Sequence, residues 1–205
     1  MSKSDIIKKA CLSLNDNDKD KCKRIINEYP FEYIHAATRS YTKAKLITVF
    51  IRDGFVDRYS GEKLIFPGAL MVLSKELPEE FPYHRNWKMS QCHIAWWQLF
   101  PTVDHIKPIA RGGTNDYDNL VCTSMLRNSA KTNFTLEELG WRIYPAGNYS
   151  DWDGMTNWFM QYVDDNKYLL DSNYIKEWYR TAKSVLNSPK LIKEGDTFVD
   201  EFDRG

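Results

Sequence analysis

One short stretch concentrates side chains able to do hydrolytic chemistry. Asp104 and His105 are adjacent, Asn119 follows fourteen positions after His105, Asn128 nine later and Lys131 three after that. Phosphodiester hydrolysis needs a cation to take up charge on the phosphoryl and leaving oxygens, and a base to take a proton from water. A carboxylate plus an amide oxygen is a hard ligand set that suits Mg²⁺ or Mn²⁺, with water and phosphate in the other positions. Asp104 and Asn128 supply that set if a helix packs on a hairpin. His105 is the candidate base, because an ordinary imidazole is neutral near pH 7 and can accept a proton. In a regular strand, however, Asp104 and His105 point to opposite faces. Both serve one phosphate only if the scissile group lies across the strand or the strand is bulged.

The surrounding residues must position these groups. Thr102–Ile106 has the pattern of a strand stopped by Pro108, Gly112-Gly113 turns the chain, and Asn119–Cys122 can pair back. Thr123 or Ser124 then caps a helix running to about Ala130. Asn119, at the return of the hairpin, is expected to bond backbone groups and orient the His105 segment rather than bind metal. Lys131 is one helical turn after Asn128 and so on the same face, where it contacts phosphate or sits in solvent. Arg111 and Arg127 are similar phosphate candidates, and His93 either contacts phosphate or supports His105.

The flanks read as helical. Helices are expected at 4–14, 17–28 and from about residue 43 to a cap at Gly54, then over 69–77, 90–99, 136–140, 155–165 and 172–186. Leu64-Ile65-Phe66 and Trp141–Tyr144 have the character of short strands, and 78–88 that of an irregular loop. Lys43, Lys45, Arg52 and Arg58 form either a solvated basic face or a phosphate grip, and His35 is expected to be structural. The organisation expected is an N-terminal helical region over 1–56, a core over 57–145, a C-terminal helical region over 146–188 and a polar tail over 189–205.

Composition narrows the class. The chain has 205 residues, a formal net charge of zero and 14% aromatic residues, enough for one packed domain with an appendage. Residues 1–58 carry twelve Lys/Arg against eight Asp/Glu (+4), and residues 134–205 carry eight against thirteen (−5). A basic N-terminal face is therefore available to a polyanion. No apolar run approaches the roughly 18 residues of a membrane helix, and the polar N-terminus lacks a signal-peptide core. A cytoplasmic location without membrane contact is expected. Cys11, Cys22, Cys92 and Cys122 form no CxxC pair, which argues against a disulfide framework and a zinc knuckle. His84, Cys92, His93 and Cys122 are the competing arrangement, a mixed zinc site made awkward by the adjacency of Cys92 and His93.

Taken in order, Asp104-His105-Ile106-Lys107-Pro108, Gly112-Gly113, Asn119-Leu120 and Asn128-Ser129-Ala130-Lys131 resemble the HNH nucleases, the ββα-metal group, over about thirty residues. The resemblance extends to the HNH domain of CRISPR effector nucleases. It implies an α+β fold, a ββα-metal (HNH) core with flanking N- and C-terminal helices. It implies Asp104 and Asn128 as metal ligands, His105 as general base and Asn119 as its orienting residue. It further implies metal-dependent cleavage of DNA leaving 5′-phosphate and 3′-hydroxyl ends. Two departures stand out. Asn128 replaces the third-position His, and the two cysteine pairs that often hold structural zinc are missing. Ser124 and Arg127 stand where the second pair would be, and Tyr59-Ser60-Gly61 looks like a remnant of the first. Packing must then support the hairpin, with Trp87, Trp96, Trp97 and Trp141 as core candidates, one of which can instead stack on a base. With no helicase or transporter part visible, restriction or another defence role is expected, with a homodimer possible for double-strand cleavage. The alternatives are a mobile-element or phage nuclease, a toxin or RNA-directed nuclease, and an HNH-fold module that binds DNA without cutting it.

Overall fold

The computed structural model describes residues 1–30 and 41–188. His35 and the polar tail from Pro189 lie outside the described residues. Contacts divide the chain into two compact units, Met1–His35 and Ala36–Gly205. The first is a helical pair, α1 (Lys3–Asn15) and α2 (Lys19–Ile26). A capping box between Ser2 and Asp5 starts α1, and the side chain of Asp18 caps α2 through the Lys21 amide, satisfying donors that a helix start leaves open.

The second unit is the α+β body. It contains α3 (Lys43–Arg52), α4 (Pro67–Glu76), α5 (Ala95–Gln98), strand β1 (Pro101–His105), strand β2 (Leu120–Ser124) and α6 (Met125–Lys131). It continues through α7 (Leu136–Leu139), α8 (Thr156–Asp165) and α9 (Asn173–Leu186). β1 and β2 pair antiparallel, with Asp104 opposite Val121 and His105 opposite Leu120. The chain is thus a ββα core dressed with helices. α3 packs on both strands and on α9, which places it with the core rather than with the N-terminal helices expected over 1–56.

Apolar burial organises the flanks. Phe50, Phe55, Phe66, Phe159, Leu169, Ile175 and Trp178 meet Leu120 and Cys122 of β2 in one core. Of the tryptophans expected in the core, Trp96 alone is fully buried. It anchors a separate cluster with Leu70 and Cys92, against which Trp87, Phe81 and Tyr83 pack half-buried. Trp97 and Trp141 are also half-buried.

Three expected elements differ for one physical reason: their backbone groups find scattered partners. Leu64 and Phe66 alternate inward as a strand would, but the amides of Leu64, Ile65 and Phe66 donate to Phe55, Leu99 and Gly154 in turn. No ladder forms. Across 141–144, the Tyr144 amide donates to the Arg58 carbonyl, and the returning bond comes from the Arg58 side chain. Over 90–99, the His93 amide donates to Pro82 and Cys92 is extended, so the helix is confined to Ala95–Gln98.

Two buried carboxylates tie these segments to the hairpin. Asp53 accepts from the Cys122 amide at 2.7 Å and pairs with Arg52 and Arg58. Asp57 accepts from the Tyr59 amide, the Thr123 hydroxyl and the Ser124 amide, at 2.9, 2.8 and 3.0 Å. Arg52 also donates to the carbonyls of Tyr117 and Leu120. Arg52 and Arg58 are therefore a structural clamp, neither a solvated face nor a phosphate grip. Lys43 pairs with Glu177, and Lys45 lies over the ring of Tyr117.

Candidate active site

The hairpin loop sets the first part of the geometry. Gly112 adopts a left-handed φ of +77°, and a Cβ on Gly113 would stand 1.9 Å from the Lys107 carbonyl oxygen. Only glycine closes this turn without strain. Asn119 pins the loop from its other end. Its Oδ1 accepts from the Lys107 amide at 2.8 Å, while Nδ2 donates to the carbonyls of Lys107 and Thr114.

α6 sets the second part. The Ser124 hydroxyl accepts from the Arg127 amide and starts the helix where β2 ends. The helix then lays Asn128 and Lys131 against β1. Asn128 Nδ2 donates to Thr102 Oγ1 at 3.0 Å and to the Val103 carbonyl at 3.4 Å. Thr102 and Asp104 share a face of the strand, so Asn128 and Asp104 are brought together. Lys131 Nζ lies 2.9 Å from Asp104 Oδ2 and donates to the His105 carbonyl at 2.6 Å. Lys131 is completely buried. It neither sits in solvent nor offers its ammonium to phosphate at the surface, which corrects both sequence expectations for it.

Asp104 Oδ2 also accepts from the Tyr59 hydroxyl at 2.8 Å. Burial, the adjacent Asp104 charge and that hydrogen bond push the Tyr59 hydroxyl far above the ordinary tyrosine range. It stays a donor at any pH the protein meets. Asp104 Oδ1 and Asn128 Oδ1 accept no hydrogen bond among the described residues. Two oxygens of the hard type are thus left on the face shared by Asp104 and Asn128.

His105 faces the other way. Its Nε2 lies 2.6 Å from the Tyr41 hydroxyl and 3.0 Å from Asn115 Oδ1. His105 is 3% exposed, and Asp104 is 7% exposed.

The remaining candidates are dispersed. Arg111 is exposed and ion-pairs with Glu138 at 3.4 Å. Arg127 lies with its guanidinium 5.3 Å from the centroid of Trp141. His93 stacks on Phe81 at 4.6 Å, and its Nδ1 accepts from the Ala95 amide. It belongs with the Trp96 cluster, whereas Tyr41 and Asn115 hold His105. The four members of the alternative zinc arrangement are not gathered. Cys122 lies in the main core, and Cys92 lies in the second cluster beside His84. Among the described residues, no group of three or more His, Cys, Asp or Glu side chains could hold a metal ion.

Four residues of this arrangement escaped sequence reading: Tyr41, Asn115, Asp53 and Asp57. Asp57 alone left a trace, two residues before the Tyr59-Ser60-Gly61 turn.

Residues 90–124 match the family model described as HNH endonuclease. The segment carrying α5, the hairpin, Asp104 and His105 is therefore HNH-like, and that likeness points to a nuclease-type function. The match ends at Ser124, so the placing of Asn128 and Lys131 rests on the geometry of α6. Neither the search of curated proteins nor that of solved structures gave a significant match.

Proposed function

We propose that the protein is a divalent-metal-dependent endonuclease that hydrolyses DNA phosphodiester bonds to 5′-phosphate and 3′-hydroxyl ends. The observation that carries this reading is the docking of α6 on β1, which brings Asn128, four residues past the HNH-matching segment, beside the strand of that segment that carries Asp104. Asp104 Oδ1 and Asn128 Oδ1 fit Mg²⁺ or Mn²⁺, since both are oxygens and one is charged. When bound, such an ion takes up charge on the phosphoryl and leaving oxygens.

The chain's own groups do the rest. Lys131 and Tyr59 hold Asp104 Oδ2, fixing the carboxylate so that its other oxygen is presented in one orientation. His105 is the base for the attacking water, and Tyr41 and Asn115 position its ring. Asn119 holds the loop that follows His105. Asp104 and His105 face opposite sides of β1, so the scissile group lies across the end of the strand. Exposed Arg111 and half-buried Arg127 are the cations we assign to the phosphate backbone.

The test is incubation of supercoiled plasmid with the purified protein and Mg²⁺ or Mn²⁺. Nicked or linear DNA is expected from the wild type. His105→Ala should lower the rate by at least about a hundredfold, the usual scale for losing a general base. Discrete fragments would mark site-specific cleavage of a restriction type, and a smear a general nuclease. Linear product without a nicked intermediate would mark a homodimer cutting both strands. The burial of Asp104 and His105 favours one rival, an HNH-fold module that binds DNA without cutting. Plasmid retarded in a gel but never nicked, with His105→Ala indistinguishable from wild type, would establish that rival instead.

A further inference from the structure

Tyr59, whose hydroxyl holds Asp104, also lines a cavity of about 700 Å³. That volume falls within the range of small-ligand sites. Trp141 and Tyr144 add two more aromatic walls, and Arg127, Arg142 and Glu62 add charge. The Trp141 ring lies 5.7 Å from that of Tyr59.

The two arginines differ from the others near the hairpin. Arg52 and Arg58 spend their donors on Asp53 and on backbone carbonyls. Arg127 and Arg142 have no carboxylate partner among the described residues. Their guanidinium groups instead lie over aromatic rings, Arg127 at 5.3 Å from the Trp141 centroid and Arg142 at 4.6 Å from the Tyr144 centroid. One Arg142 N–H donates to the Tyr144 hydroxyl at 3.3 Å; with no carboxylate to hold them, the remaining guanidinium N–H groups of both arginines are of the kind that grips phosphate oxygens. Aromatic and guanidinium planes also stack on bases. The Glu62 carboxylate can accept from the exocyclic amine of adenine, cytosine or guanine.

We propose that this cavity binds one unpaired nucleotide, its base stacked in the Trp141–Tyr144 region and its phosphate held by Arg127 and Arg142. The inference rests on the nuclease reading only for the origin of that nucleotide, a strand lying beside the cut. A free mononucleotide has the same chemistry. Tyr59 joins the cavity to Asp104, so an occupied cavity braces the carboxylate from behind.

The experiment uses the full chain in chelator, where no cutting occurs. Binding of a short fluorescein-labelled single strand is followed by anisotropy, with deoxyadenosine monophosphate as competitor. Trp141→Ala and Arg142→Ala should each weaken binding about tenfold, the scale of losing one stacked base. Arg142→Lys should not restore it, because an ammonium lacks the flat fork. Thermal melting checks that each variant is folded, and exposed Arg142 gives a second variant with little risk to the core. Displacement by the mononucleotide assigns the cavity to a free nucleotide. Trp141-dependent strand binding that the mononucleotide does not displace assigns it to the substrate strand. Folded variants that bind as wild type does, or a wild type that binds neither probe, would overturn the proposal. A wild type that never cuts plasmid yet shows Trp141-dependent binding would sink the nuclease reading and leave this one standing.

Discussion

Lys131 keeps its charge inside the protein by leaning on two oxygens, one from the Asp104 carboxylate and one from the His105 backbone. Asp104→Ala therefore does two things. It removes the proposed metal oxygen, and it leaves a buried ammonium without its counter-charge. Loss of cleavage should be accompanied by a loss of about 3 kcal/mol of stability, typical of breaking a buried pair from one side. Urea denaturation checks this, and the double variant with Lys131→Met should recover most of the loss. Asp104 would then be both structural and chemical. If Asp104→Ala melted like wild type, the pair would have no energetic meaning. Tyr41→Phe is the corresponding change on the other face. Losing one hydrogen bond of about 1.4 kcal/mol should lower kcat about tenfold with KM unchanged, whereas a rise in KM alone would make Tyr41 a substrate contact. At this scale the sequence was partly legible. Asp104, His105 and Asn128 were singled out by their spacing, and the packing of α6 on β1 brings Asn128 beside the strand that carries the other two. The burial of Lys131 was hidden, because a lysine one turn along a helix reads as surface until the strand packed over it is known. Tyr41 lies 64 residues before its partner, and no local pattern connects the two.

Hairpin and helix were legible as elements because each is closed by short-range chemistry: a glycine turn, an asparagine staple, a serine cap. The false strands at Leu64–Phe66 and Trp141–Tyr144 show the opposite case. Their residue types favour extension, but a strand also needs a ladder partner, and theirs are dispersed. The second strand carries a further consequence. Burial, followed by the charges of Asp53 and Asp57, drives the Cys122 thiol well up, and burial does the same to Tyr59, whose hydroxyl faces Asp104. In the unfolded chain these groups ionise near about 8.5 and 10. In the folded chain they keep their protons, so the stability they contribute is complete below those values and is lost as pH climbs above them. Thermal melting between pH 8 and pH 11 should show a plateau followed by a decline. Tyr59→Phe should flatten the part of the decline above about pH 10. A wild-type curve level to pH 11 would contradict the burial of these groups.

As a whole molecule, the chain is a small helical pair and a larger body with its own core. Removing residues 1–30 should leave the unfolding of the remainder cooperative, with its unfolding free energy changed by less than about 0.5 kcal/mol. Circular dichroism through the transition measures this, and a broad or early transition would show that the body depends on the pair. Fold class was readable from the sequence, but the main core was not: it gathers around Phe50, Phe55, Phe66 and Phe159, whereas of the expected tryptophans Trp96 alone is fully buried, in a separate cluster. The boundary was not readable either, because helical periodicity in α3 says that a helix forms but not which partner it packs on.

Asp53 and Asp57 also bear on how the protein lives in a cell. The loop before the hairpin, the second strand and the start of α6 are joined by carboxylates that accept hydrogen bonds. A fastening of that kind is complete as soon as the chain folds. It waits for no zinc delivery, competes with no other protein for metal, and has no thiolate for peroxide to strip. A chelator added to the plasmid assay would leave these fastenings in place, so a loss of cutting would report on the proposed metal chemistry rather than on the fold.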